Sequence, residues 1–210
     1  MQTDGLIFDL DGTLWDASHT CTKAWNSAFV RFGFSEIRVT REMVVSFSGK
    51  LLRDILSTNF PQLTMKQQDA FISIYGEEET KFMQAEGGVL FPDVKETLER
   101  LSRRYPLFIV SNCLSGYIEN FLRRNMLGKF FSDLECSGNT GKTKAENIGL
   151  IIIRNRLQKP IYLGDTQGDF DAARANGITY IHARYGFGKV REEVEGIDRF
   201  EQLESMLQQS

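Results

Sequence analysis

Two aspartates stand two residues apart, directly after a short apolar run. Residues 6–8 (Leu-Ile-Phe) are typical of a buried strand, and Asp9-Leu-Asp-Gly-Thr13 follows as a tight loop. Left unpaired, the carboxylates of Asp9 and Asp11 would repel each other, and a divalent cation would offset that repulsion. Magnesium suits such a pair because it prefers oxygen ligands and commonly binds one or two carboxylates with water and phosphate. The pair therefore predicts Mg²⁺ as cofactor.

Further polar residues occupy the same position after other apolar runs. They are Ser111 and Asn112 after residues 107–110, and Asp165 and Asp169 after residues 161–163. Ligands of open α/β sheets bind at the carboxyl ends of the strands, so we expect these side chains to converge with Asp9 and Asp11. The alternative is that the aspartates form turns or cap helices. Convergence of four aspartates at strand ends favours a metal site.

The elements that must position these residues alternate between strand and helix. Strands are predicted at residues 6–8, 107–110, 161–163 and 179–181, with a shorter one near 134–136, and amphipathic helical patterns lie between them. One predicted helix spans residues 169–176, with Asp169 as its N-cap and Gly177 in the left-handed position after it. This alternation predicts an α/β fold, a Rossmann-like parallel sheet with helices on both faces.

Residues 15–87 differ, because they show helical periodicities and no clear strand. Trp25, Ala28, Phe29 and Phe32 share one helical face, and Thr64 with Gln67 fits a capping box that opens another helix. The aromatic stripe is typical of a packed core. We expect a small helical bundle at 15–87, inserted into a core domain made of residues 1–14 and 88–210.

Composition excludes several classes of function. The chain has 210 residues and a net charge of −3, which gives no electrostatic reason to expect a nucleic acid or an anionic membrane as partner. Three widely spaced cysteines suggest neither disulfides nor a zinc site. The N-terminus lacks the pattern of a signal peptide, and no apolar run is long enough to span a membrane. We expect a cytoplasmic protein, and a monomer for want of any interface signal.

The motifs resemble those of a known family. Asp9-Leu-Asp-Gly-Thr13 is similar to the first motif of the haloacid dehalogenase (HAD) superfamily, most of whose members are phosphatases. Ser111 resembles the second motif, and Gly164-Asp-Thr-Gln-Gly-Asp169 the fourth, in the form Gly-Asp-Thr-x-x-Asp. The similarity covers essentially the whole chain. The helical segment 15–87 resembles the cap of members similar to phosphoglycolate phosphatase and β-phosphoglucomutase.

The resemblance implies a role for each of these residues. Asp9 would be the nucleophile that forms an aspartyl-phosphate, and Asp11 the general acid and then base. Magnesium would be held by the carboxylates of Asp9 and Asp165 and the backbone carbonyl of Asp11, with Asp169 as a direct or indirect ligand. The substrate's phosphoryl group would receive hydrogen bonds from Thr13, Ser111 and Asn112; alternatively, Thr13 bonds within its loop, and Ser111 and Asn112 cap the following helix.

The third motif of the superfamily is a lysine, and two are candidates here. Lys144 opens the run Lys-Ala-Glu-Asn-Ile and fits one form of the motif, whereas Lys142 fits a form that carries prolines absent here. We favour Lys144. In the helical segment, Lys50 and Arg53 would meet an anionic part of the substrate, or would be solvated charges.

Three functions compete on this scaffold. The first is hydrolysis of small phosphate monoesters, which the four aspartates favour. The second is a phosphomutase that moves a phosphoryl group between sugar hydroxyls. The third is a non-enzymatic protein that kept the fold. Dehalogenation is disfavoured because true dehalogenases of the superfamily lack an equivalent of Asp11.

Overall fold

Short strands alternate with helices along nearly the whole chain. The protein is described here by a computed structural model that covers residues 2–208. In chain order its elements are β1 (Leu6–Phe8), β2 (Trp15–Asp16), α1 (Ser18–Phe32), α2 (Arg41–Phe47), α3 (Leu52–Asn59), α4 (Met65–Ala85), β3 (Val89–Leu90), α5 (Val94–Ser102), β4 (Leu107–Ser111), α6 (Tyr117–Asn125), a 3₁₀ turn (Gly128–Phe130), β5 (Phe131–Cys136), α7 (Ser137–Thr140), α8 (Lys144–Asn155), β6 (Ile161–Gly164), α9 (Gln167–Ala175), β7 (Thr179–Ala183), β8 (Gly196–Ile197) and α10 (Gln202–Gln208).

Within residues 2–208, six of the strands form one parallel sheet in the order β5-β4-β1-β6-β7-β8. The first strand, β1, lies between β4 and β6, and the chain then builds outward on each side in turn. The sheet therefore changes direction at β1, and ligand sites of such sheets lie at that point. The predicted α/β class is confirmed, and the short strand predicted near residue 134 is part of β5.

Alternating side chains of the strands divide the core into two layers. Leu6 and Phe8 point to one face, where they join the apolar side chains of α5, α6 and α10. Ile7 points to the other face, where it packs in a cluster with residues of α8 and α9. Because both faces are covered, the strands β1, β4 and β6 are buried along their whole length.

Helices α1 to α4 form the helical insert, which lies between β2 and β3. Trp25 is at its centre and stacks with Phe29 and Phe71 at ring-centroid distances of 6.0 and 5.5 Å. The predicted capping box is present, since the Thr64 hydroxyl accepts from the N–H of Gln67 and the Gln67 side chain accepts from the N–H of Thr64. The aromatic stripe is therefore core, as the periodicity predicted.

Three details differ from the sequence-based expectations. Trp15 and Asp16, expected in a strand-free segment, pair with β3 as a short antiparallel ribbon at the base of the insert. The edge strand β8 was not predicted. The expected N-cap of α9 is wrong: Thr166 is the cap, and Asp169 is three residues on, as its reciprocal partner. In a capping box, the cap residue and the residue three positions later both bond to backbone N–H groups. In the sequence, Asp169 therefore resembles a cap as much as Thr166 does.

Within residues 2–208, no helix combines the length and the apolar character needed to cross a membrane.

Candidate active site

The loop after β1 places Asp9 at the middle of the sheet edge. The N–H of Asp9 donates to the carbonyl of Leu163 at 2.9 Å, which ties the loop to β6. Gly12 has φ +86°, and a Cβ there would overlap the carboxylate of Asp165. The loop therefore needs glycine at this position to bring the two carboxylates together. The buried hydroxyl of Thr13 faces Oδ1 of Asp165 at 3.5 Å.

Lys144 joins this loop to the loop after β6. It is the first residue of α8, which the reciprocal contacts of Thr143 and Glu146 begin. Its ammonium nitrogen lies 2.7 Å from Oδ1 of Asp9 and 2.6 Å from Oδ1 of Asp169. Burial opposes the charged form of Lys144, but the nearby carboxylates hold its pKa above the ordinary value. Lys142 is exposed, so the structure brings Lys144 to Asp9 and leaves Lys142 outside.

Asp165 and Asp169 come from the end of β6 and the first turn of α9. Oδ2 of Asp165 accepts the N–H groups of Phe187 and Gly188 at 2.8 and 3.0 Å. The segment Tyr185-Gly-Phe-Gly188 therefore orients this carboxylate. Carboxylate oxygens of Asp9, Asp165 and Asp169 lie within 4.8 Å of one another.

Burial and mutual repulsion set the protonation of this cluster. Burial raises the pKa of Asp9, and repulsion by Asp169 adds to it against the attraction of Lys144. Burial and Asp169 raise the pKa of Asp165 in the same way. Burial also opposes ionisation of Asp169, but Lys144 and Thr166 outweigh it and keep its pKa low. Three buried carboxylates thus share one buried ammonium, an imbalance that a divalent cation would relieve.

The donor set fits a magnesium ion. Among residues 2–208, no hydrogen bond reaches Oδ2 of Asp9, and Oδ1 of Asp165 receives only the long contact from Thr13. Both oxygens of Asp169, by contrast, are taken by Lys144 and Tyr162 on one side and by Thr166 on the other. Asp9 and Asp165 are therefore free to bind a cation directly, while Asp169 positions Lys144 beside it.

Asp11 belongs to a separate environment. Its Oδ1 accepts a hydrogen bond from the hydroxyl of Tyr117, at 2.9 Å. Burial, with repulsion by Asp9 as the next cause, raises the pKa of Asp11 to about 7. Tyr117 packs edge-on against Trp15, which fixes the position of its hydroxyl. A carboxyl group with such a pKa exchanges protons readily near neutrality, which suits a general acid and base.

Ser111 and Asn112 follow the neighbouring strand, but the structure uses them differently. Ser111 is buried and lines a cavity together with Asp9 and Asp11. The side-chain amide of Asn112 donates to the carbonyl of Gly49 in the helical insert at 2.9 Å, and its Oδ1 accepts from Ser137 at 2.8 Å. The side chain of Asn112 is therefore occupied in joining the insert to the sheet.

The cavity lies between the strand ends and the helical insert and has a volume of about 120 Å³. Lys50 is exposed and lies on its lining, in the loop between α2 and α3. Arg53 is also exposed, but it pairs with Asp69 and does not reach the cavity. Of the two cations expected to meet the substrate, the structure brings only Lys50 to the site.

Several residues of the site were not predicted. Tyr162 was predicted only as part of an apolar strand and Tyr117 was not singled out, and the hydroxyl of each contacts an aspartate of the site. Glu79, which also lines the cavity, was not singled out within α4. A signal was present only for Thr166, since Thr-x-x-Asp before a helix matches a capping box. Partners across 106 residues, as in Tyr117 and Asp11, leave no local pattern.

Comparison with known proteins agrees with this geometry. The sequence pattern of the haloacid dehalogenase-like hydrolases matches residues 6–183. The chain belongs to this family. The resemblance found in the motifs is thereby confirmed, as is the prediction that the protein is an enzyme of a hydrolase class.

Individual relatives are similar over most of their length. A phosphoglycolate phosphatase of Aliivibrio fischeri is 29% identical over an alignment of 194 positions, which covers 87% of this chain and 84% of the relative. A phosphoglycolate phosphatase of Escherichia coli K12 is 25% identical, over 87% of this chain and 82% of its own. The solved structure of a haloacid dehalogenase-like hydrolase from Bacteroides fragilis superimposes with a TM-score of 0.85 at 25% identity, covering 96% of this chain and all of the other.

Proposed function

We propose that the protein is a magnesium-dependent hydrolase of small phosphate monoesters and that Asp9 is its nucleophile. The observation that carries this proposal is the position of Lys144, whose ammonium group lies between Asp9 and Asp169. One oxygen of Asp9 is thus paired while the other is free to attack phosphorus. The phosphatase names of the relatives support the same reaction class.

The first step is the transfer of the phosphoryl group to the protein. The free carboxylate oxygen of Asp9 attacks phosphorus, a new P–O bond forms, and the ester P–O bond breaks. The leaving alkoxide takes a proton from the carboxyl group of Asp11, which Tyr117 holds in place. The products are an aspartyl-phosphate and a free alcohol.

The second step returns the enzyme to its starting state. Asp11, now ionised, takes a proton from a water molecule, whose oxygen attacks phosphorus. The bond between phosphorus and Asp9 breaks, and inorganic phosphate leaves. Asp9 regains its carboxylate and Asp11 its proton, so that atoms and charges balance over the cycle.

Residues around these two aspartates supply the charge and the hydrogen bonds. Lys144 and the hydroxyl of Ser111 would contact the phosphoryl oxygens, which become more negative in the transition state. Asp9 and Asp165 would hold Mg²⁺, which supplies positive charge for the phosphoryl oxygens when it is bound. Asp169 keeps Lys144 protonated and directed at the reacting carboxylate.

We propose that the helical insert, residues 15–87, acts as a cap on a core of residues 1–14 and 88–210. Gly49 of the insert lies against Thr166, so close that a Cβ there would be 2.6 Å from its hydroxyl oxygen. With the hydrogen bond from Asn112, this contact covers the cavity. A covered site excludes bulk water during the first step, and the cap must move to admit substrate.

A cytoplasmic monomer remains the expected state, in keeping with the free thiols of Cys21, Cys113 and Cys136. Size-exclusion chromatography with light scattering tests the oligomeric state.

The reaction is tested by phosphate release from a panel of small phosphate monoesters with Mg²⁺ or with a chelator. Turnover in ¹⁸O-water then separates the proposed mechanism from ester hydrolysis at carbon. Attack of water on phosphorus places the label in the released phosphate and leaves Asp9 unlabelled. Label in the Asp9 carboxylate, read by peptide mass spectrometry, would show attack on its carbonyl carbon. If no phosphate were released from any ester of the panel, the proposal would be wrong.

A further inference from the structure

The cavity that the reacting aspartates line also has an apolar part. Its wall is formed by side chains from the first three helices of the insert and from the loop after β4. They are Trp25, Val44, Phe47, Leu52, Ile55 and Leu114. A leaving group that enters this space exchanges water for carbon surface, which favours carbon-rich groups and disfavours charged ones.

One acidic side chain interrupts this apolar wall. Glu79, on α4, is 7% exposed, and its Oε1 accepts a hydrogen bond from the hydroxyl of Tyr75 at 2.7 Å. Within residues 2–208, no lysine, arginine or histidine forms an ion pair with Glu79. The preceding acids on the same helix, Glu77 and Glu78, both pair with Arg31. Of these three acids, Glu79 is the one that lines the cavity, and it has no cation as partner.

The second oxygen of Glu79 is free for a ligand. No described residue donates a hydrogen bond to Oε2, yet this atom is not among the sealed, unpartnered polar atoms of residues 2–208. It therefore borders the cavity. Burial raises the pKa of Glu79 to about 8, with repulsion by Asp11 as a further cause. A buried carboxyl group in a cleft, with an open hydrogen-bonding position, is a candidate for ligand recognition.

Neither cation of the described cavity lining is both buried and unpaired. Within the described part of the chain, the cavity is lined by two lysines, Lys144 and Lys50. Lys144 is committed to Asp9 and Asp169. Lys50 is exposed, on the loop that contacts solvent. An anionic leaving group would enter an apolar space beside a carboxyl group, with only the exposed Lys50 among the described lining residues to pair with it, so its desolvation would be costly.

Resting on the proposed phosphatase activity, we propose that Glu79 is a specificity residue for phosphate esters of small, uncharged alcohols that carry a further hydroxyl group. A hydroxyl both donates and accepts, so it pairs with Glu79 whether that group is ionised or neutral. An ammonium group pairs only with the ionised form. A leaving group with a carboxylate, as in phosphoglycolate, is disfavoured. The proposed substrate therefore differs from the one that the relatives' names state.

The test is a matched series of phosphate esters that differ only at the far end of the leaving group. The two-carbon set is ethyl, 2-hydroxyethyl, 2-aminoethyl and carboxymethyl phosphate (phosphoglycolate). The three- and four-carbon homologues vary the distance that the leaving group spans between phosphorus and Glu79. We expect kcat/KM for the hydroxyalkyl ester to exceed those for the alkyl and carboxyl esters of equal length by about tenfold or more, the factor of one satisfied buried hydrogen bond.

Variants at Glu79 separate recognition from folding. Glu79→Met should lower the ratio of kcat/KM for hydroxyalkyl over alkyl ester about tenfold, whereas Glu79→Gln, which still accepts and donates, should keep it. A ratio does not depend on how much of the protein is folded. Glu77→Met, at an exposed position on the same helix, is the matched control and should change nothing.

Each outcome decides one of the two proposals. The inference is overturned if the carboxyl ester is the best substrate at every chain length, or if Glu79→Met leaves the ratio of hydroxyalkyl to alkyl ester unchanged. Lys50→Ala then shows whether that lysine binds the carboxylate instead. Release of phosphate from p-nitrophenyl phosphate, without a preference for the hydroxyalkyl esters, overturns the inference and leaves the phosphatase proposal intact. No magnesium-dependent release from any of these esters counts against the phosphatase proposal itself.

Discussion

The ammonium nitrogen of Lys144 lies 2.7 Å from Oδ1 of Asp9, and both side chains are buried. This contact joins the loop after the central strand to the start of α8, 135 residues away in sequence. A buried charge is strongly destabilising when the oppositely charged group beside it is removed. The contact joins the loop to the helix, and in the proposed reaction it would also orient Asp9 and keep a positive charge beside the phosphoryl group.

Replacing Lys144 should damage both stability and turnover. In Lys144→Met, Asp9 and Asp169 remain buried without a cation, and we expect a loss of about 3 kcal/mol in the free energy of unfolding near neutral pH. Phosphate release should fall at least ~10²-fold, because a fixed charge near the transition state is lost. Urea denaturation and initial rates measure the two effects.

The exposed Lys142 provides the matched control. Lys142→Met should change the unfolding free energy by less than about 0.5 kcal/mol and leave turnover intact. If Lys142→Met abolished turnover and Lys144→Met did not, the lysine of the third motif would be Lys142.

Asp9→Asn should abolish turnover and preserve the fold. The amide keeps the shape of the side chain, and its oxygen still accepts from Lys144, but it is a very weak nucleophile. We expect a fall of at least ~10³-fold in kcat, as for loss of a nucleophile in other covalent mechanisms. Thermal melting followed by circular dichroism checks the fold. Asp198→Asn, at an exposed aspartate, is the control and should match the unsubstituted protein; comparable activity in both variants would reject Asp9 as nucleophile.

The sequence alone predicts the strand ends well and the contacts between distant elements poorly. Asp9 and Asp165 follow apolar runs, so the parallel sheet brings them to one edge without further information. Tyr117 and Glu79 lie inside helical patterns, where tyrosine indicates core and glutamate indicates a solvated face. Their contacts depend on how the insert and α6 pack over the sheet, and no local pattern encodes that packing.

The same limit explains Asn112 and Arg53. Asn112 was expected to donate to the phosphoryl group, and Arg53 either to meet the substrate or to be a solvated charge. Asn112 instead binds the insert through Gly49, and Arg53 pairs with Asp69 across two helices of the insert. The direction of a side chain within its loop or helix decided each case, and residue type and spacing do not fix that direction.

Magnesium should stabilise the folded protein through Asp165. A ligand at about 100 times its dissociation constant adds ~2.7 kcal/mol to the free energy of unfolding, if it binds only the folded state. We therefore expect Mg²⁺ to raise the melting temperature of the unsubstituted protein. Asp165→Asn should remove most of that increase, because it deletes a charged oxygen ligand. Asp171→Asn, at an exposed aspartate, should keep it. An equal increase in both variants would place the ion elsewhere.

The hydrogen bond from Asn112 to Gly49 should control how often the insert opens. Asn112→Ala removes the hydrogen bonds to Gly49 and from Ser137; loss of the one to Gly49, worth about 1 kcal/mol, corresponds to an open population larger by about fivefold. Hydrogen–deuterium exchange should therefore quicken at residues 47–52 and not in β4. Asn139→Ala, in the short helix α7, is the control, since Asn139 contacts Glu135 and not the insert. Unchanged exchange at residues 47–52 would mean that other contacts hold the insert closed.

Glu79 should make stability depend on pH. Burial raises its pKa from 4.5 to about 8, so the folded protein keeps a proton that the unfolded chain loses. This contribution to stability is complete below pH 4.5 and falls by about 1.4 kcal/mol per pH unit as pH rises toward 8. The facing groups are Tyr75, Cys21, Tyr117 and Asp11. The first three have raised pKa values and stay neutral in this window, whereas Asp11, whose pKa is about 7, ionises within it and then repels ionised Glu79. Glu79→Gln does not titrate, so its melting temperature relative to the unsubstituted protein should rise between pH 5 and 8; a constant difference would show Glu79 ionised throughout.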